Sequence, residues 1–347
     1  MPAQSSTLES VLMRSWMRRG LPAFLLWPVS ILFHAIVALR RKLYASGVFE
    51  TVRLPVPVIV VGNTFIGGTG KTPLTIWLVE TLRQAGYVPG VVSRGHGAPG
   101  SVPRLVTQAS LPQDAGDEPV LIAMRARCPL AAGRDRAAAA QLLLSFHPEV
   151  NVIVSDDGLQ HYRLGRDIEI MLFDARGRGN GWMLPAGPLR EPVSRGADFT
   201  IINGGSADAI AQGAALMQLE GGRAELLRDR SQRISMSSLA AASVAPKPTR
   251  LAAAAGIGNP ERFFGMLRDA GLKFDPLPLQ DHYDFADNPF TGLAADMILI
   301  TEKDAVKCSH IEGMKDDPRL WVVPVTARID AAVAEKIVEK LRGYTTA

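Results

Sequence analysis

The sequence predicts an α/β protein: a parallel-sheet domain, a second and smaller α/β domain, and an apolar N-terminal helix. Three observations predict it. The apolar run Val58-Ile59-Val60-Val61 breaks into a glycine-rich turn and then into Lys71-Thr72-Pro73, the strand, loop and helix order of a P-loop NTPase-type domain. Strand-like apolar runs then alternate with helical periodicity, which lays strands side by side beneath helices. Ahead of all this, residues 21–39, LPAFLLWPVSILFHAIVAL, are apolar apart from Ser30 and His34.

The formal net charge is +4, and within the first fifty residues Arg14, Arg18, Arg19, Arg40, Arg41 and Lys42 face only Glu9 and Glu50. The basic excess thus surrounds one apolar helix, which points to a membrane surface and not to nucleic acid. The run is borderline in length for a span, Pro28 would kink it, and Trp27 suits an interface. A cleaved signal peptide is disfavoured, because positive charge follows the run as well as preceding it and no A-x-A site is present. Three placements stay open: a span, a helix lying in the membrane surface, or a helix docked on the protein's own core. Charge at both ends favours the surface. Cys128 and Cys308 lie far apart without His or Cys at ligand spacing, which argues against a disulfide framework or structural zinc and fits a reducing compartment.

The loop Phe65-Ile66-Gly67-Gly68-Thr69-Gly70-Lys71-Thr72 is the candidate nucleotide site. Gly67, Gly68 and Gly70 let successive backbone N–H groups converge on phosphate oxygens with no Cβ in the way. Lys71 would reach the terminal phosphates, and Thr72 would offer a hydroxyl to Mg²⁺. The usual G-x-x-x-x-G-K-[ST] pattern would place a glycine where Phe65 stands, but the tighter GGxGKT is intact.

A helix over 72–85 follows, with Leu74, Leu78 and Leu82 at four-residue spacing and Gly86 as its stop. A strand at Val88–Ser93 leads to Arg94, which would serve a phosphate or simply solvate the loop. Gly116-Asp117-Glu118-Pro119 either caps a helix or supplies a base or metal ligand. A helix at Arg134–Leu144 precedes Val150–Asp157, an apolar strand ending in paired aspartates. Asp156 and Asp157 fit the acidic position that holds Mg²⁺ in P-loop folds, against a plain turn. Strands at 168–173 and 199–202 flank a Pro- and Gly-rich stretch carrying Arg190-Glu191.

Residues 215–227 read as a hairpin around Gly221-Gly222, and the domain junction is placed there. The division is 1–45 for the membrane-associating helix, 46–214 for the P-loop domain, 215–230 for a hairpin linker and 231–347 for the smaller α/β domain. In the last, Leu251–Ala255 opens into a second strand–turn–helix unit at Gly256–Glu261. Strands follow at 297–301 and 320–325, and a helix closes the chain at 331–341. His282, between Asp281 and Tyr283-Asp284, reads on its own as a structural or surface histidine.

Taken in order, VGNTFIGGTGKT at 61–72, SRGHG at 93–97, GDEP at 116–119, DDGLQH at 156–161, LPAGPLREP at 184–192, AGIGNPERFF at 255–264, DHYDF at 281–285 and TEKDAVK at 301–307 resemble the tetraacyldisaccharide 4′-kinase family, the lipid A 4′-kinases of Gram-negative bacteria. One departure is His96, where the family pattern has tyrosine. The resemblance implies a kinase at the cytoplasmic face of the bacterial inner membrane. It would pass the γ-phosphate of ATP to the 4′-hydroxyl of a tetraacylated glucosamine disaccharide 1-phosphate, with Mg²⁺. Its partners would be that lipid and the membrane surface, with no nucleic acid and no obligate protein partner.

By the same resemblance Asp117 holds the base position and His282 orients it from the other domain. Lys71 and the loop amides hold the β- and γ-phosphates, and Thr72 with Asp156 or Asp157 holds Mg²⁺. Arg94, Glu118, Gln160, His161, Arg190, Glu191 and Asn203 belong to the substrate cleft, and Arg134 or Arg136 would meet the lipid's 1-phosphate.

The main rival is a membrane-bound partitioning-type P-loop ATPase, which shares GGxGK[ST]. Those proteins carry a lysine just before the paired glycines, where this chain has Ile66, and their amphipathic anchor is typically C-terminal. A nucleotide-gated scaffold without transferase activity is the other alternative.

Overall fold

The apolar run after the N-terminal helix forms β1 (Val58–Gly62), buried along its whole length. The computed structural model describes residues 15–95, 97, 100, 102–205 and 213–344. After β1 come β2 (Pro89–Ser93), β3 (Arg104–Leu105), β4 (Leu130–Ala132), β5 (Val152–Asp156), β6 (Ile168–Asp174), β7 (Phe199–Asn203) and β8 (Ala215–Glu220). They form one sheet in the order β8-β7-β6-β1-β5-β2-β4-β3. Among these eight strands every pair is parallel except β3 with β4. β1 therefore sits between β5 and β6, and the turn that follows it opens at the carboxyl edge, where open α/β sheets bind ligands.

Both faces of this sheet are covered, which is why its strands read as continuous apolar runs and not as alternation. Ile59 and Val61 pack with Leu74, Leu78 and Leu82 of the helix Lys71–Gln84 and with Val120 and Ile122 of the helix Asp117–Ala126. Val58 and Val60 face the other way, onto Ala139, Ala140 and Leu143 of the helix Arg136–Phe146.

A second sheet contains β9 (Arg223–Leu226), β10 (Asp229–Ser235), β11 (Leu251–Ala255), β12 (Asp275–Pro278), β13 (Met297–Thr301) and β14 (Leu320–Val323), in the order β10-β9-β14-β13-β11-β12. Two sequence expectations fail here. Residues 215–227 are not a hairpin: β8 pairs with β7, whereas β9 pairs with β10 and β14. Gly221-Gly222 carries the chain from one sheet to the other, a task that two glycines serve as readily as a reversal. Nor does 231–347 stay in the smaller lobe. β15 (Thr326–Ile329) returns to pair antiparallel with β8, and Ile337 and Leu341 of the closing helix Ala331–Arg342 join the first core.

The lobes meet where the helix Asp117–Ala126 packs on the helix Glu302–Cys308. Arg125 pairs there with buried Glu302, which also accepts from the Val325 N–H at 3.2 Å. This contact brings residues far apart in sequence to one place.

The N-terminal helix runs from Leu21 to Ala45, straight through Pro28. It lies along the loop that precedes β7. Ser30 Oγ donates to the Met183 carbonyl at 2.7 Å, Phe33 and Val37 pack on Phe65, Met183 and Leu189, and Trp16 Nε1 donates to the Pro185 carbonyl at 2.8 Å. Of the described helix residues only Ala23 and Ser30 are buried, while Leu21 (73 %), Leu25 (71 %) and Leu32 (62 %) stand out from the body. The helix is thus docked by a narrow stripe and presents a broad apolar face outward.

Candidate active site

The turn after β1 is held open by its neighbours. Gly67 and Gly70 have φ of 94° and 98°, a region that L-residues with a Cβ avoid. A Cβ on Gly70 would stand 2.3 Å from Asn203 Nδ2, which at the end of β7 donates to the Thr69 carbonyl at 2.8 Å. Asn63 Nδ2 donates to the Phe65 carbonyl at 2.6 Å, and Lys71 Nζ donates to Asn63 Oδ1 at 3.2 Å. Lys71 opens its helix, so its own N–H and that of Thr72 have no intrahelical acceptor.

On the β5 side, Asp156 is buried and accepts from Thr75 Oγ1 at 3.0 Å and Ser93 Oγ at 3.4 Å. Burial, with Glu118 and Asp157 close by, pushes its carboxyl up to about 7. Asp157 shows the opposite balance. Burial raises it, but Lys71 at 3.6 Å, Arg190 at 3.4 Å and Arg136 outweigh that and hold the carboxyl below its ordinary value.

Across the cleft lies the second charged group. Asp117 starts its helix, 3 % exposed, and its Oδ2 stands 3.0 Å from His282 Nδ1 and 3.2 Å from Lys307 Nζ. Burial raises its pKa, but His282, Lys303 and Lys307 together hold it well below the usual carboxylate range. The hydrogen bond to Asp117 raises His282 in turn, against burial and Lys303. The imidazole, with φ of 60°, turns its other nitrogen toward Lys303 Nζ at 3.3 Å. Lys303 also pairs with Glu118 at 3.2 Å.

The glycine turn and, from the second group, Glu118, His282 and Lys303 line one cleft of about 1490 Å³ between the lobes, with Phe33, Ile36, Val37 and Arg40 of the N-terminal helix on its wall. A family model for tetraacyldisaccharide-1-P 4′-kinases matches residues 22–342. The chain belongs to that family. It is 62 % identical over 348 residues to the tetraacyldisaccharide 4′-kinase of Janthinobacterium sp. (strain Marseille), covering 100 % of both chains. It is 60 % identical over 351 residues to that of Herminiimonas arsenicoxydans, covering 99 % of each. Among solved structures it resembles LpxK from Aquifex aeolicus in complex with ATP, with a TM-score of 0.73 and 26 % identity over 92 % of this chain and 100 % of that one.

In this tetraacyldisaccharide 4′-kinase family member, Ile66, Gly67, Gly68, Gly70, Lys71 and Thr72 line the cleft, as do Arg94, Glu118, Asp156, Asp157, Gln160, Arg190, Glu191, Asn203 and His282. Phe65 and Thr69 do not: both side chains are buried. His161 does not reach the cleft either. It takes the Arg136 N–H on Nε2 at 3.2 Å, and burial with Arg136 nearby lowers its pKa to about 4, so a neutral ring caps the helix there. Arg136 is itself buried, donating to the Asp157 carbonyl at 3.2 Å, and is poorly placed to meet a lipid phosphate. Asp117 stands one hydrogen bond behind His282 and not on the cleft wall. His96 lies outside the described residues. Lys303 and Lys307 were missed as site residues, although the TEKDAVK motif that carries them was legible.

Proposed function

We propose that this protein is an ATP-dependent tetraacyldisaccharide 4′-kinase that phosphorylates the 4′-hydroxyl of the lipid disaccharide 1-phosphate in lipid A biosynthesis. The observation that carries the reading is the convergence, in one cleft, of a phosphate loop from the large sheet and the Asp117–His282 couple from the lobe interface. The acceptor hydroxyl attacks the γ-phosphorus, the bond from that phosphorus to the bridging oxygen breaks, and ADP leaves. Phosphoryl transfer needs mainly alignment and charge neutralisation, and the loop amides with Lys71 supply both. The hydroxyl proton passes to the Asp117–His282 couple, whose cleft-facing member is the imidazole; the buried carboxylate holds that ring in register and stabilises its cationic form. Arg94, Gln160, Arg190 and Glu191 are the cleft residues we assign to the sugar and phosphate, and Asn203 positions the loop.

Thr72, Asp156 and Asp157 offer the hard oxygen donors that suit Mg²⁺. Asp156 accepts from two hydroxyls and, among the described residues, forms no ion pair, so its charge is one that a divalent ion would satisfy. When bound, Mg²⁺ supplies neutralisation of the β- and γ-phosphate oxygens. The outward apolar face of the N-terminal helix supports a placement at the cytoplasmic surface of the inner membrane. Its inner side borders the cleft, so a lipid headgroup would enter beside the anchor. Because the helix is tied to the body by Ser30, Phe33 and Val37, lying in the surface suits it better than crossing.

Incubation with ATP, Mg²⁺ and the lipid disaccharide tests the proposal. Phosphate on the lipid is expected. Release of inorganic phosphate without lipid would instead favour the partitioning-type ATPase.

A further inference from the structure

Arg176 stands against the phosphate loop in a way the Asp117–His282 couple does not explain. It follows β6, and Asp174 at that strand's end, only 1 % exposed, accepts from its Nε at 3.0 Å and its Nη2 at 2.6 Å. The guanidinium carbon lies 4.3 Å from the centre of the Phe65 ring. Nη2 also reaches the Gly68 carbonyl at 3.4 Å, and Nη1 comes within 3.7 Å of where a Cβ on Gly67 would stand. A second arginine, Arg262 from the other lobe, donates to the same Asp174 oxygen at 2.9 Å, with its Nη1 3.5 Å from the Cβ position of Gly70.

Two guanidinium groups on one buried carboxylate leave an excess of positive charge, and both arginines line the cleft together with Lys71. A carboxylate that needed only neutralising would require one of them. The loop itself lacks the cation expected by analogy with partitioning-type ATPases, since Ile66 occupies that place, and it bears Phe65 where a glycine is usual. Both departures have one explanation in space: the Phe65 ring is the seat of a cation that arrives from β6. An aromatic face attracts a guanidinium, and the two-point contact with Asp174 fixes its plane.

We propose that Arg176 is a further catalytic residue, an arginine supplied in cis that contacts the transferring phosphoryl group, with Phe65 seating it, Asp174 aiming it and Arg262 tying the second lobe to the same carboxylate. Arginines delivered to phosphate loops act on the charge that builds up in the transition state more than on ground-state binding. This inference rests on the reading of the loop as a triphosphate site.

The test uses the full-length protein and measures three quantities: kcat on the lipid acceptor, ADP affinity, and the tightening of ADP by aluminium fluoride in the presence of the lipid. Arg176→Ala should lower kcat by about 10³-fold and abolish the tightening while leaving ADP affinity within about threefold. Arg176→Lys should recover part of kcat, because it keeps the charge but not the planar fork. Phe65→Leu, which removes the seat and spares the arginine, should fall between wild type and Arg176→Ala. Retained kcat and tightening in Arg176→Ala would overturn the proposal, as would an equal loss of ADP and ADP–aluminium fluoride binding, which would make the arginine a support for the loop. Should Arg176→Ala fail to fold, Arg176→Lys and Phe65→Leu decide, and wild-type values in both would refute it. A wild-type protein that bound no ADP would remove the loop reading itself, whereas one that binds ADP beside an unaffected Arg176→Ala removes only this inference.

Discussion

Two strand–turn–helix units face each other across the cleft, and only one is equipped to hold an anion. β1 runs into Gly62–Gly70 and a helix that starts at Lys71; β11 runs into Gly256–Asn259 and a helix that starts at Pro260. The loops touch, for a Cβ on Gly258 would lie 2.9 Å from the Gly68 nitrogen. In the first unit the N–H groups of Lys71 and Thr72, which line the cleft, have no intrahelical acceptor. In the second, the Gly256 N–H already donates to buried Asp304 at 3.0 Å, and Glu261 adds a negative charge in the first helical turn. An anion brought there would meet two carboxylates. A glycine turn ahead of a helix is therefore only half of a phosphate site; the groups that already occupy or flank its amides decide the rest.

The comparison breaks most sharply if Lys71 is dispensable. Lys71→Ala is expected to cut lipid phosphorylation by about 10³-fold, the scale of losing a preorganised charge-stabilising donor. Steady-state turnover close to wild type would mean that the first loop is no more a phosphate site than the second.

Next in size is Asp117→Asn, which keeps the shape of the side chain and removes its charge. A loss in kcat of about 10²-fold or more is expected, in line with general-base contributions. The pH profile gives a second readout. Asp117 raises the pKa of His282, so wild-type activity should climb with pH through a limb above the ordinary imidazole value, as the protonated couple gives up its proton. Without the carboxylate the cationic ring is less favoured, and the limb should move to lower pH. An unmoved limb would show that the two groups do not titrate together.

A smaller effect should follow from separating the loops. Gly258→Ala places a methyl 2.9 Å from the Gly68 nitrogen and 3.0 Å from Asp281 Oδ2. We expect about a tenfold fall in kcat/KM for ATP, since modest misplacement of reacting groups is costly. Gly265→Ala, with nothing within 4 Å of its Cβ, serves as the neutral control. Equal values for the two variants would indicate that the contact between the units is incidental.

The smallest catalytic effect is expected from the helix that neither unit depends on for chemistry. Leu25→Glu with Leu32→Glu, both on the outward face, should reduce co-sedimentation with anionic vesicles severalfold while kcat on detergent-dispersed substrate stays near wild type. Full retention on vesicles would place the anchor elsewhere.

The strands at 251–255 and 297–301 were legible to the residue, because buried parallel strands are short apolar runs bounded by turn residues. The glycine turn after β1 and the aspartate that ends β5 were legible for a similar reason: each is a local pattern at the end of such a run. The partners of β8 and β9 were not, since alternation states that a segment is a strand and not which sheet receives it. Asp174 and Arg176 carried no signal of their own. Charged residues beside loops are common, and their meaning came from what the other lobe set against them. His161 misled for the converse reason, as its neighbours Asp157 and Gln160 line the cleft while its ring turns away to cap a helix.

By itself the sequence determined where most strands and helices lie, that a glycine-rich turn leads from β1 into a helix opened by a lysine, and that one end of the chain is apolar and basic. These follow from backbone conformation and periodicity, which act over a few residues. Only the tertiary structure decided that Asp117 meets His282, that β15 returns to the first sheet, and that two arginines share Asp174. Those outcomes depend on desolvation and on charges drawn from distant segments, and such energies exist only once the lobes are packed together.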